Sequence, residues 1–461
     1  MKKFWILILL AVLLTGCALQ EPEPTQPPTV TVGAHTYPAD AARLDLREQA
    51  LTVAEYEQLQ MLLPQCEILW KLPFQGLRVG LETRQLRVDA VTLDSVAGLA
   101  YLKQLESLHI STCPERSVLE ALAAVVPDCR VSYDVTLAGR KLRWDEREVS
   151  LTNGDLPEAR EKLDFLPKLK RVIVTDTVTD VETLLALKEA WPEIEFRYTF
   201  PFFGQEVSWD AREVEVKQVS IGSVEEVERL LPLFSGLEKL ALLETGLPSE
   251  ELDALWKRHP ETRLVWTIRM GYAHVRTDVT TMMPFKYGYD GLDPNTRLGD
   301  KQMEGFKYLV DVVCLDLGHQ GMTNVEFVRY MPKLQYLIIG DARVPDLSPL
   351  EGLKELKFLE AFLCGVEDLS PLAGCTSLLD VNLCYNNFTD ITPLLGLEKL
   401  ENIWLSGNSW RIPKEQQQLL AETFPNAKIV YYSESSTGDG WRNIPRYYEQ
   451  RDLLGMGYMI G

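Results

Sequence analysis

From position 314 onward, aromatic and acidic side chains recur in pairs spaced 22 residues apart: Cys314/Asp316, Tyr336/Ile338, Phe358/Glu360, Asp380/Asn382 and Asn402/Trp404. Rings supply apolar faces, and carboxylates and amides supply directional polar groups, the mixture that protein interfaces use. That is chemistry for binding. Chemistry for catalysis is not marked in the same way. The five histidines (His35, His109, His259, His274, His319) form no pair at metal-ligand spacing, and no H-E-x-x-H, G-x-S-x-G, paired C-x-x-C or phosphate loop occurs. Two of the many carboxylates could meet in space as a glycosidase pair, but nothing in the linear order singles out two. Asp293-x-Asn295 with Glu304 in the twelfth place has the outline of a calcium loop, yet Arg297 stands at a ligand position and Leu298 at the glycine turn. The expectation is a binding module with no metal, no cofactor and no catalytic residues, hence not an enzyme.

The balance of 47 basic against 67 acidic side chains gives a formal charge of −20. Such a surface repels phosphate backbones, which argues against nucleic acid as a partner; it reads first as an acidic coat that keeps a secreted protein soluble, with steering of a cationic partner as the alternative. With 46% hydrophobic and 25% charged residues, the 461-residue chain has the composition of a folded protein rather than a disordered one.

The N-terminus reads as an address. Lys2-Lys3 precede an unbroken apolar run, Phe4 to Leu14, too short for a bilayer span of about 20 residues and suited to the core of a signal peptide. Leu14-Thr15-Gly16-Cys17 follows, and it resembles the lipobox of bacterial lipoproteins. That resemblance implies a signal peptide over 1–16, lipid attachment at Cys17, and an extracytoplasmic protein anchored to the bacterial cell membrane. The alternative is an ordinary secretory signal with an incidental cysteine. Residues 17–32, with four prolines between Ala18 and Val32, are expected to form an extended stalk.

The elements that must hold the 22-residue pairs are legible as repeats. Asp346-Leu-Ser-Pro-Leu350 recurs as Asp368-Leu-Ser-Pro-Leu372 and Asp390-Ile-Thr-Pro-Leu394, with Asn324–Val328 as a degenerate copy. In phase run Val312/Leu315/Leu317, Leu334/Leu337/Ile339, Leu356/Leu359/Ala361, Leu378/Val381/Leu383 and Leu400/Ile403/Leu405. Each copy predicts a short strand burying one face, then a turn that opens with proline where its missing N–H costs nothing. One unit cannot bury its own leucines, but stacked units can. The N-terminal half repeats more loosely: Pro64/Ile68/Trp70, Pro127/Val131/Tyr133, Pro192/Phe196/Tyr198 and Pro260/Leu264/Trp266 stand at intervals of 63, 65 and 68 residues, with Pro425/Ile429/Tyr431 as a fifth copy. Each proline follows an amphipathic helical stretch and opens a strand, and Gly76, Gly139 and Gly204 mark turns into added hairpins.

The pattern L-x-x-L-x-L, with Asn386 and Asn408 at the turn, resembles the leucine-rich repeat of the internalin type, found on bacterial surfaces. The resemblance implies an α/β solenoid, a right-handed horseshoe with a parallel β-sheet on its concave side. Divergent long-helix modules would cover 33–270, a connector 271–300, regular repeats with an end cap 301–432, and an aromatic tail 433–461 would close the open end. Strand residues not pointing into the core must then face the ligand space. The candidate binding residues are Asp316, Tyr336, Phe358, Glu360, Asp380, Asn382, Tyr385, Asn402 and Trp404. A protein or peptide partner is expected there, with Glu360 and Asp380 placed to meet a cationic group. Packing of the rings beneath the tail and stacking on a glycan are the alternatives, and an envelope scaffold that binds a co-resident membrane protein is the alternative role. The seven cysteines after Cys17 are expected to form no disulfide framework, with Cys66 and Cys129 as small core residues.

Overall fold

The computed structural model describes residues 28–289, 291 and 293–456, divided into two compact units. The signal segment, Cys17, most of the expected stalk and Tyr458 lie outside the described residues. The stalk does not extend to residue 32: the alternating Thr29–Val32 pairs antiparallel with His35–Pro38 around Gly33, burying Val32 and Tyr37.

One unit comprises the described residues up to Ile173 together with Leu187–Phe196. Its strands Gln85–Val88, Ser107–Ile110 and Arg130–Leu137 run parallel and in register, so that Leu86, Leu108 and Val131 are neighbours. Helices Val53–Leu62 and Arg116–Val125 each stop two residues short of the repeated proline. The first starts on a reciprocal cap: Thr52 Oγ1 accepts the Glu55 N–H at 3.2 Å, and Glu55 accepts the Thr52 N–H at 2.8 Å. Hairpins turn at Gly76 and Gly139, both in the left-handed region that glycine tolerates. Trp70 is buried and stacks on Tyr56 with centroids 4.1 Å apart. Cys66 and Cys129 are only half-buried, because their strand-entry positions precede the inward residues.

The other unit holds residues 174–186 and the described residues from 197 onward. Glu213–Lys217, Lys239–Leu243 and Arg263–Met270 form a parallel sheet extended by the antiparallel Ala273–Arg276. A seven-stranded parallel sheet follows: Thr281–Met282, Cys314–Asp316, Tyr336–Ile338, Phe358–Glu360, Asp380–Asn382, Asn402–Trp404 and Lys428–Val430. Its register joins Leu315, Leu337, Leu359, Val381, Ile403 and Ile429 in one row. The expected connector is therefore no mere linker, since Thr281–Met282 supplies the first strand of this sheet.

Local chemistry enforces the register. The Asp of each Asp-x-(Ser/Thr)-Pro-Leu copy caps the turn it opens: Asp346, Asp368 and Asp390 accept the N–H two residues on, at 2.8 to 2.9 Å. Asn386 Oδ1 accepts from the backbone of Cys364 and Val366, while its Nδ2 donates to Ala361 and Leu383 carbonyls. Asn408 repeats the arrangement one turn later, and the Cys364 thiol donates to the Ile339 carbonyl at 3.1 Å. Gln320 departs from asparagine but serves a related end; its longer side chain accepts from Leu298 N–H and donates to the Tyr289 carbonyl, tying 289–298 to the repeats. Ile429, inward on the last strand, stays partly exposed because no further turn stacks on it. Among the described residues all seven cysteines are free thiols, and no helix is long and apolar enough to cross a membrane.

Candidate binding face

Because a strand alternates, the residues flanking each inward leucine point away from the core and line the opposite face of the seven-stranded sheet. All the candidates but Tyr385, which lies in the turn after Asp380–Asn382, occupy that face, and most are not open to solvent. The tail turns back over the sheet through a 3₁₀ turn, Trp441–Asn443, and the helix Pro445–Leu453. It reaches from Lys428, whose Nζ donates to the Asp439 carbonyl, back to Cys314, whose thiol lies 3.9 Å from the Gln450 carbonyl. The tail thus covers the face of the sheet instead of its open end. Met283, Cys314, Tyr336, Phe358, Cys384 and Trp404 form one apolar cluster with Trp441, Ile444 and Leu454 from the tail.

Two anchors hold it. Trp441 inserts between Phe358 and Trp404, with ring centroids 5.1 and 5.3 Å away, and its Nε1 donates to Glu360. Trp404 Nε1 donates to the Gly438 carbonyl at 3.0 Å, and Asn382 Nδ2 donates to the Ser436 carbonyl at 2.7 Å. Arg446 forms the second anchor. Its guanidinium clamps Asp380, which is 0% exposed, and also donates to Glu401. These carboxylates hold the Arg446 guanidinium pKa well above its ordinary value. Asn402 donates to the same Asp380 at 2.7 Å, and Tyr336 donates its hydroxyl to Glu449 at 2.7 Å.

Of the nine candidates, the structure gathers Phe358, Glu360, Asn382 and Trp404 around the Trp441 segment, and Asp380 with Asn402 around Arg446. Tyr336 meets the tail helix. Tyr385 sits at the rim, 37% exposed, with its hydroxyl 3.3 Å from the Ser433 carbonyl. Asp316 lies apart, partly exposed, accepting the Gly318 N–H at 3.0 Å. The expectation that Tyr336, Phe358 and Trp404 are exposed rings is overturned: all three are buried, because leaving such large apolar area in water is costlier than folding the tail over it. The partners Trp441, Arg446, Glu449 and Glu401 were not among the candidates. A legible signal existed: Arg442, Arg446 and Arg451 recur within an otherwise acidic tail and could have been matched to Glu360 and Asp380 on the sheet.

Burial pushes the Glu360 carboxyl up to about 7; the Trp441 N–H opposes the rise, the Asp316 charge adds to it and Arg442 opposes it. A folded-state value above the ordinary one of about 4.3 means the native state prefers the protonated form. Its contribution to stability is fully present below the unfolded pKa and is lost as pH rises through about 7. Glu360→Gln keeps the acceptor for Trp441 and removes the titration. The variant should match the wild type near pH 5 and exceed its stability at pH 8 by about 1–3 kcal/mol, read by urea denaturation at both pH values. Equal differences at the two would contradict it.

The register of 22 residues, the inward leucines and the asparagine ladder define a leucine-rich-repeat solenoid. Among solved structures, the chain is similar to an internalin from Listeria monocytogenes strain 4b F2365 (14% identity, 87% of this chain and 84% of that one, TM-score 0.27). Internalin C2 from the same strain also matches (22% identity, 54% and 82%, TM-score 0.21), as does a leucine-rich-repeat protein from Leptospira interrogans (14% identity, 75% and 93%, TM-score 0.28). No protein-family model matches the chain, and no curated protein matches it.

Proposed function

We propose that this chain is a lipid-anchored protein of the bacterial cell surface whose repeat face binds a protein or peptide partner. The observation that carries the reading is the tail itself. The face already holds a peptide segment by two devices that recognise peptides in general, a buried aromatic anchor and a clamped guanidinium. A partner presenting an aromatic and a basic residue at similar spacing would displace the tail and find its sites preformed. A cationic partner also suits the net charge of −20.

The test is recovery of cross-linked partners by the wild type and by Arg446→Met, whose tail is less firmly held. A protein recovered more strongly by the variant supports the reading, and competition by a peptide spanning 433–456 would map it to this face. Recovery of no protein by either form counts against it. A second reading, a scaffold that docks a co-resident membrane protein away from this face, is favoured by a separate groove of about 670 Å³ lined by Trp256, Lys307, Tyr308 and the exposed Tyr330. Equal recovery by the two forms would favour that role.

The anchor has its own test. Cys17→Ser should release the protein from the membrane fraction or leave its signal uncleaved. Unchanged processing and attachment would remove the lipoprotein part of the proposal.

A further inference from the structure

Outside the tail-covered face, a groove of about 670 Å³ lies among the helix Ser249–Arg258 and the 3₁₀ turns Asp300–Tyr308 and Glu326–Tyr330. A second groove of about 580 Å³ adjoins it, and Lys307 and Tyr330 line both. Each volume falls within the range of about 300–1,000 Å³ that ligand sites occupy, and two that share a wall suit a ligand of several units. The rings at this place exceed what the repeat needs. Tyr308 and Tyr330 stand where the following three repeats carry Gly352, Gly374 and Gly396. Trp256 stands four residues before Pro260, where the earlier modules have Gln60, Ala123 and Lys188 before their prolines. Part of the excess fills the seam between the two kinds of repeat: Trp256 and Tyr308 meet Trp266 edge-on, with centroids 6.5 and 5.4 Å away. Seam filling does not account for Tyr330, which is 56% exposed.

The charges around these rings are already matched. Asp253 pairs with Lys257 at 2.7 Å, and Glu250 pairs with Lys307 at 3.7 Å while accepting the Tyr308 hydroxyl at 3.1 Å. Arg263, against the Trp256 ring, is held by Asp311 at 2.8 Å. Along the adjoining groove Glu326 pairs with Arg329 at 2.9 Å, and Asp300 and Glu304 share the lining with Lys301. A charged ligand would have to break such a pair or leave its own charge unmet. A hydroxyl fits the pairs as they stand, since it donates to the carboxylate and accepts from the ammonium. An apolar peptide would cover them without replacing their water. Several hydroxyls on a body with apolar C–H faces are the chemistry of a sugar. Those C–H groups carry the slight positive charge that the negative face of an aromatic ring attracts. We infer that this cleft binds a neutral oligosaccharide, stacked on Tyr330 and bridged by its hydroxyls to the Asp253–Lys257 and Glu250–Lys307 pairs. The paired charges favour it over a protein docked in the same groove. No tail residue lines the cleft, so the inference stands or falls separately from partner binding on the covered face.

Calorimetric titration of the full-length protein, in a detergent without a sugar head group, tests it with maltotriose, cellotriose and tri-N-acetylchitotriose. Saturable one-site binding is expected for at least one of them, with weaker binding of the anionic trigalacturonate and none of a blocked tetraproline peptide. Tyr330→Ala, verified as folded by its melting curve, should weaken that binding about tenfold or more, whereas Tyr330→Phe keeps the ring and should nearly preserve it. Lys257→Ala should weaken it about threefold or more, and it decides if Tyr330→Ala does not fold. Retention on the matching polymer (amylose, cellulose or chitin) separates the sources: a retained protein recognises a surface glycan, and trisaccharide binding alone points to a free oligosaccharide. Binding of none of the three, tighter binding of trigalacturonate or tetraproline, or affinity unchanged in the folded alanine variants would overturn the site.

Discussion

Arg446→Met should destabilise the unit that carries the seven-stranded sheet by about 3–5 kcal/mol. The cost does not come from the lost attraction alone. Asp380 is 0% exposed, and its carboxylate is satisfied by the Arg446 guanidinium and by Asn402. Methionine fills much of the same volume but leaves a buried negative charge with one amide donor. A buried pair that loses one partner is far worse than no pair, because the desolvation penalty of the survivor is no longer offset. Asp380→Asn in the same chain should therefore recover much of the loss, and a double-mutant cycle by urea denaturation would measure the coupling. An exposed ion pair would give well under about 1 kcal/mol and no rescue. That result would mean the tail does not sit on this face in solution.

Trp441→Ala should cost a comparable amount, about 3–5 kcal/mol, for a different reason. The indole is 0% exposed between Phe358 and Trp404, so its removal leaves a cavity lined by rings that cannot collapse into it. It also strips Glu360 of its indole donor. The tail should then open more often than the leucine core does. Limited proteolysis should cut the variant within 433–456 first and leave a longer-lived repeat fragment. Cutting at the wild-type rate, with an unchanged unfolding midpoint, would show that Trp441 does not anchor the tail. The same logic applies to Trp404 and Phe358: alanine there should lower stability, whereas exposed contact residues would tolerate it.

The regular repeats are the part of this protein that its sequence determines by itself. Inward positions such as Leu337, Leu359, Val381 and Ile403 recur every 22 residues, and one turn of chain can bury them only against its neighbours, so period and register follow together. Turn chemistry is equally local: Asp346, Asp368 and Asp390 bond two residues on, and Asn386 and Asn408 reach backbone of the adjoining turn. Even the outward list, from Asp316 to Trp404, follows from strand alternation. What faces those residues does not follow. Trp441 and Arg446 come from a segment with no period, and they meet Glu360 and Asp380 across 81 and 66 residues of chain. Only tertiary packing pairs such distant groups, since the choice between water, a partner and the chain's own tail depends on the total apolar area and charge brought together. The strand at Thr281–Met282 was decided in the same way, by neighbours that folding supplied.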